Sequence, residues 1–186
     1  MQIAYRFFIE TECMQIYNVC EVKNMKKIIR KPNRLRNYDY SSNGMYFITV
    51  CTKGKAHIFG NIVGATIGRL AGMQLSPYGK ITKQAIENIN NHYPAVFVDK
   101  YVIMPNHIHL ILQIDTYNGN RRPMVAPTIS TVVQQLKGYV SKQAGFSLWQ
   151  KTFHDHIIRD ENDYEKIWEY TDTNPLKWET DCFYSE

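Results

Sequence analysis

Hydrophobic and polar positions alternate most regularly between Asn106 and Ile114. Ile108, Leu110, Leu112 and Ile114 share one parity, while His107, His109, Ile111 and Gln113 share the other. That pattern predicts a strand with one face in a core and a second face carrying two imidazoles. Phe97 to Met104 predicts a neighbouring strand, broken from the first at Met104-Pro105-Asn106. Met45-Tyr46-Phe47-Ile48-Thr49-Val50-Cys51 has the aromatic and β-branched composition of a buried strand, and Lys53-Gly54-Lys55 supplies turn residues that end it. Ile58 to Val63 and Met73-Gln74-Leu75 predict a bent hairpin, with glycines at 60, 64, 68 and 72.

Helical spacing appears in three places. Ser76-Pro77 reads as cap and first residue of a helix carrying Tyr78, Ile81, Ala85, Ile89 and Tyr93, until Pro94 forbids continuation. Thr128 caps a second helix with the stripe Ile129, Val132, Val133, Leu136 and Val140, ended by Gly145. This helix is the natural cover for the apolar face of the 106–114 strand. A strand-like stretch, Ser147 to Thr152, follows. Asp160 with Asp163 then opens a third helix carrying Tyr164, Ile167, Trp168 and Thr171 as far as Asn174-Pro175. Strands and helices intermix with short hairpins, so the expected class is α+β, a mainly antiparallel sheet covered by helices.

Composition narrows the function classes. The 186 residues are 44% hydrophobic and 21% charged, which suits one compact folded domain and excludes general disorder. The four cysteines show no CxxC pair, so neither a disulfide scaffold nor a structural zinc module is expected. No apolar run approaches the roughly 20 residues that span a bilayer, and Glu10 and Glu12 stand where a signal peptide needs basic residues. The expectation is a soluble, cytoplasmic chain. Met25 opens a basic run, Lys26, Lys27, Arg30, Lys31, Arg34 and Arg36. Residues 1–24 are therefore read as an N-terminal extension upstream of a start at Met25, with 25–186 as the functional domain. The plainer alternative is an N-terminal strand over Ile3 to Ile9. Lysine and arginine total 22 against 17 acidic residues, a net charge of +5 that leans mildly toward polyanions.

The chemistry-bearing residues begin with His107 and His109. Residues two apart on a strand share a face at about 7 Å, so both imidazoles can converge on one metal ion while Ile108 anchors the strand. A bare pair of this kind also occurs on half-exposed strands with no function. Tyr139 and Gln143 lie one turn apart at the border of the second helix's stripe. A helix lying on the sheet could deliver a phenol and an amide oxygen to one place, the oxygen being a hard ligand of the kind Mg²⁺ accepts. Equally, Tyr139 is one of 13 tyrosines and such a position commonly serves packing. His154 and His156 flank Asp155, and His156 reads as a core or DNA-contacting residue. Lys31, Arg34, Arg36, Arg121, Arg122 and Arg159 are phosphate-contact candidates, with solvated charge as the alternative. Tyr38, Tyr40 and Tyr46, near the basic run, suit base stacking.

Tyr101-Val102-Ile103-Met104-Pro105-Asn106-His107-Ile108-His109-Leu110-Ile111 resembles the histidine–hydrophobe–histidine motif of single-tyrosine (HUH) transposases, specifically their REP-associated branch, related to the IS200-like insertion-sequence transposases. Three further segments agree with that branch: Arg30-Lys31-Pro32-Asn33-Arg34-Leu35 leading into Tyr46 to Thr52, Trp149-Gln150-Lys151 with His156-Ile157-Ile158-Arg159, and Asn174-Pro175-Leu176-Lys177-Trp178. The resemblance implies a ferredoxin-like antiparallel sheet with helices mainly on one face. It implies an enzyme that nicks and rejoins single-stranded DNA beside REP-like hairpins through a 5′-phosphotyrosine. It carries His107 and His109 over as ligands of a divalent ion, Mg²⁺ first and Mn²⁺ second, Tyr139 as nucleophile and Gln143 as third ligand. Tyr170 on the third helix is the reserve nucleophile, set second because it lacks a glutamine one turn on. The resemblance includes homodimers with the tyrosine helix reaching across, as well as monomers. Two other readings compete: a domesticated hairpin-binding protein that no longer cuts, and a zinc hydrolase, for which no third His, Cys or acidic ligand stands at short spacing.

Overall fold

The computed structural model describes residues 38–64, 72–116 and 127–184. Its elements in chain order are β1 (Gly44–Cys51), a 3-10 turn (Lys53–Lys55), β2 (Gly60–Val63), β3 (Gly72–Leu75), α1 (Pro77–Glu87), α2 (Ile89–His92), β4 (Val96–Ile103), β5 (His107–Ile114), α3 (Ile129–Ala144), β6 (His154–Ile158), α4 (Glu161–Thr173) and a 3-10 segment (Asn174–Thr180). Four strands form one antiparallel sheet in the order β4-β5-β1-β6, and β2 pairs with β3 separately. The architecture is the α+β antiparallel sheet with packed helices that the sequence predicts.

The parity of β5 decides which layer lies where. Ile108, Leu110, Leu112 and Ile114 are buried with Tyr46, Ile48 and Val50 of β1 and with Ile129, Val132, Val133, Leu136 and Val140 of α3. This main core fills the space between the sheet and α1, α2 and α3. Removing such side chains from water is the chief stabilising term. The opposite face carries His107 and His109, and it is covered by α4, the 3-10 segment after it and the last described residues. There a smaller buried cluster joins Cys51, Met104, Trp178 and Phe183.

Local signals account for most element ends. Ser76 accepts a hydrogen bond from the Gly79 N–H at 3.1 Å, with Pro77 at the first helical position. Thr128 accepts from the Thr131 N–H at 3.2 Å, and Gly145 leaves α3 with φ 81°, the left-handed conformation glycine tolerates. Asp160 accepts from the Asp163 N–H at 2.9 Å to start α4.

Three expectations are corrected. The helix drawn from Ser76 to Tyr93 divides at Asn88, whose side-chain amide donates to the Gln84 carbonyl at 2.9 Å, in competition with the helical ladder. Ser147 to Thr152 forms only an isolated bridge between Thr52 and Trp149, and the strand is β6 instead. Its polar His-Asp-His start hides an edge strand whose partner, β1, supplies the hydrophobic register. Trp168, placed on the apolar stripe of α4, is 41% exposed and lies under the Lys100 ammonium at 3.2 Å from the ring centre. Residues 1–37, including the extension and its boundary at Met25, lie outside the described residues. Among the described residues no helix is long and apolar enough to cross a membrane.

Candidate active site

Strand β5 aims the two imidazoles at each other. His107 Nε2 and His109 Nε2 are 3.0 Å apart. Their remaining nitrogens are fixed from behind. His107 Nδ1 lies 2.8 Å from Asn106 Oδ1, and the same amide donates through Nδ2 to the Phe183 carbonyl at 2.8 Å. The amide oxygen is thereby turned to His107, so Nδ1 is the protonated nitrogen and Nε2 carries the lone pair. Thr49 Oγ1 lies 2.8 Å from His109 Nδ1 and, as a hydroxyl, can donate or accept there. It tolerates either tautomer: one in which His109 Nε2–H donates to His107, and one in which both Nε2 lone pairs face a shared cation. Hydrogen bonds of this kind to the outer ring nitrogen fix the orientation of imidazoles that bind a metal.

Helix α4 and the residues after it supply the oxygen atoms. The Tyr170 hydroxyl sits 3.4 Å from His109 Nε2 and donates to Asp181 Oδ2 at 3.2 Å. One turn later, Asn174 Nδ2 donates to the same carboxylate oxygen at 2.8 Å, while the Phe183 N–H donates to Asp181 Oδ1 at 2.6 Å. Asn174 is buried, and its Oδ1 has no hydrogen-bond partner. A buried amide oxygen left without a partner is costly. His107, His109 and Asp181 present ligand atoms all within 4.8 Å of one another.

Aromatic rings wall this cluster. Phe47 stacks on His109 with centroids 5.0 Å apart, and Phe183 lies over His107 at 4.5 Å. Both histidines are almost fully covered, at 0% and 1% exposure. Burial is the main reason that His107 is held well below the usual imidazole range, with the charges at His109 and Lys55 adding to it. Burial likewise pushes His109 down to about 3. Asp181 moves the other way, because burial disfavours its carboxylate more than its hydrogen bonds from Phe183, Asn174 and Tyr170 and the charge of Lys55 favour it.

The fold does not bring Tyr139 and Gln143 to the histidines of their own chain. Helix α3 packs on the Ile108 face of the sheet, the opposite one. Tyr139 is 45% exposed and lines a cleft of about 220 Å³ with Asn88, His92 and Tyr93, and Gln143 is exposed. Tyr170, the reserve position, stands at the histidines, and its amide partner one turn on is asparagine rather than glutamine. His156 is tied to Asp163 of α4 at 2.8 Å, and Arg159 is exposed at the end of β6. Lys31, Arg34, Arg36, Arg121 and Arg122 lie outside the described residues. Thr49, Asn106 and Asn174 lie in motif segments of the sequence reading without a site role, and Asp181 was not singled out. The legible signal for Asn174 was an amide one helical turn after a tyrosine; Asp181, distant along the chain, offered none.

No protein-family model matches the chain. An uncharacterized protein of Haemophilus influenzae is 38% identical over 173 residues, which cover 83% of this chain and 93% of that protein. A second Haemophilus influenzae protein, named "Putative REP-associated tyrosine transposase", is 25% identical over 152 residues and 77% of each chain. Among solved structures, a REP-associated tyrosine transposase bound to a REP hairpin superposes with a TM-score of 0.56 at 20% identity, covering 78% of this chain and 73% of that one. The last comparison shows a shared fold. The chain is thus similar in sequence to a putative REP-associated tyrosine transposase and shares the fold of a solved one.

Proposed function

We propose that this protein nicks and rejoins single-stranded DNA beside hairpins, with Tyr170 as nucleophile and His107 and His109 as ligands of a divalent ion. The observation that carries the reading is the position of the Tyr170 hydroxyl, 3.4 Å from His109 Nε2 in a cluster that already contains Asp181 and the unpaired oxygen of Asn174. The hairpin as substrate is taken from the structural relative, which was solved with one bound.

In this reading the Tyr170 oxygen attacks the scissile phosphorus, a P–O bond to tyrosine forms and the P–O3′ bond breaks. The strand end leaves as a 3′-hydroxyl, which takes a proton from water, while the phenol proton passes to Asp181, its present hydrogen-bond acceptor. Asp181 suits this because burial has already raised its affinity for a proton. Rejoining is the reverse, so the phosphodiester energy is held in the phosphotyrosine. A divalent ion, Mg²⁺ or Mn²⁺, would be held by His107 Nε2, His109 Nε2 and an oxygen of Asn174 or Asp181, and it would polarise the phosphate. Phe47 and Phe183 keep the imidazoles oriented and exclude water. Arg159 and the basic residues at 31, 34, 36, 121 and 122 would contact phosphates.

One observation favours a second reading, hairpin binding without cutting: the histidines are closed to solvent by Phe183 and its neighbours. A single experiment separates the two. Labelled single-stranded DNA carrying an imperfect hairpin from the protein's own genomic flank is incubated with Mg²⁺, Mn²⁺ or EDTA and run on a denaturing gel. A metal-dependent protein–DNA adduct, absent in Tyr170→Phe and kept in Tyr139→Phe, is expected. Tight hairpin binding with no adduct under any metal would establish the second reading.

A further inference from the structure

Strand β4 departs from regular pairing at one place. Val98 lies opposite Leu112 of β5 and Lys100 opposite Ile111, so Asp99 has no counterpart on β5 and forms a β-bulge. Successive side chains of a regular strand point to opposite faces, whereas a bulge re-aims them. Here Asp99 and Lys100 both meet α4. Asp99 Oδ2 accepts from the Tyr164 hydroxyl at 2.9 Å, and the Lys100 ammonium donates to Asp172 Oδ1 at 2.6 Å while it stands over the Trp168 ring. Tyr164, Trp168 and Asp172 follow one another at four-residue steps, so two adjacent strand residues hold one stripe of the helix along two turns.

Tyr170 stands midway in sequence between Trp168 and Asp172. At about 100° per residue it leaves the helix about 160° from the middle of that stripe, with the buried Ile167 and Thr171 seated between the two flanks. The bulge thus grips one flank of α4, and the Tyr170 hydroxyl reaches His109 from the other, at 3.4 Å. A roll of the helix by about 10° about its axis would move side-chain atoms at its rim by about 1 Å. The ion pair itself contributes little to stability, because the Asp172 side chain is 56% exposed. Its consequence is orientation. We infer that Lys100, presented by the bulge at Asp99, fixes the roll of α4 and so seats the Tyr170 hydroxyl for attack, as a positioning residue acting through the helix. This rests on Tyr170 as the nucleophile in the reading above.

The test compares the parent with Lys100→Met, which keeps an apolar stem over Trp168 and removes the charge, and with Lys100→Arg, which restores the charge. In single-turnover nicking of a hairpin strand Lys100→Met should be slower on the order of 10-fold, within the roughly 10²-fold that a 1 Å misplacement can cost. Lys100→Arg should recover most of the rate, and Lys100→Met combined with Asp172→Asn should be no slower than Lys100→Met alone. Hairpin affinity, its salt dependence and the thermal midpoint should stay at parental values. In fluorotyrosine-labelled protein the Tyr170 resonance, assigned by its loss in Tyr170→Phe, should shift in Lys100→Met and return in Lys100→Arg. Weaker hairpin binding with a shallower salt dependence would make Lys100 a phosphate contact and overturn the inference. A rate loss that follows the thermal midpoint, an unchanged rate, or an unmoved Tyr170 resonance would overturn it as well. Parental protein that forms no Tyr170-dependent adduct would overturn the nicking reading, and the resonance would then decide separately whether Lys100 seats Tyr170.

Discussion

Burial sets the charge state of the two histidines. Their pKa values are lower folded than unfolded, so the unfolded chain binds more protons over the interval and stability rises with pH through it. Their contribution is complete above the ordinary imidazole value of about 6.5 and is lost as pH falls toward the value of about 3 at His109. Asp181, raised above the usual carboxylate range, works in the opposite direction. Urea midpoints measured across pH should fall steeply below about pH 6, and His109→Leu should flatten that fall. An unchanged slope would mean that His109 is not held neutral. At this same scale the sequence reading set Tyr139 ahead of Tyr170, whereas the fold brings Tyr170 to the histidines. Tyr139 and Tyr170 each precede an amide by one turn, and spacing along a helix does not say which face of the sheet the helix covers. That choice depends on chain crossovers, which are a property of the whole fold.

At the scale of elements, α4 carries the proposed nucleophile and is held by its first turn. Asp163 accepts from His156 across to β6 at 2.8 Å and from the Arg159 N–H at 3.3 Å, while Asp160 caps the helix. Asp163→Ala should cost about 1.5–3 kcal/mol of stability, the usual worth of hydrogen bonds to a charged group. It should also slow nicking, because Tyr170 lies two turns along the same helix. Stability by denaturant titration beside single-turnover rates would show both effects, and a rate loss without a stability loss would contradict this account of the anchor. Gly60 matters for the small hairpin: its φ is 139° and a Cβ there would meet the Gln74 carbonyl oxygen. Gly60→Ala should therefore cost about 1–3 kcal/mol, read from the thermal midpoint. The alternation of β5 and the caps of α1, α3 and α4 were legible in the sequence because period and capping are local. Strand β6 was not, since an edge strand beginning His-Asp-His takes its register from β1 rather than from its own pattern.

At the scale of the molecule, one chain contains the entire proposed site. His107, His109, Tyr170, Asn174 and Asp181 meet without a partner subunit. Tyr170→Phe mixed with His109→Ala should accordingly give no nicking, whereas a site shared across a homodimer would restore about a quarter to a half of the activity. Nicking per molecule should also be independent of protein concentration.

The central claim is that Tyr170 becomes joined to DNA, and peptide mapping of the adduct tests it most directly. Trypsin releases Tyr170 in the peptide 167–177 and Tyr139 in the peptide 138–142. After nuclease trimming of the bound strand, mass spectrometry should find the nucleotide on 167–177 and leave 138–142 unmodified. A nucleotide on 138–142 would contradict the account and return the nucleophile to α3.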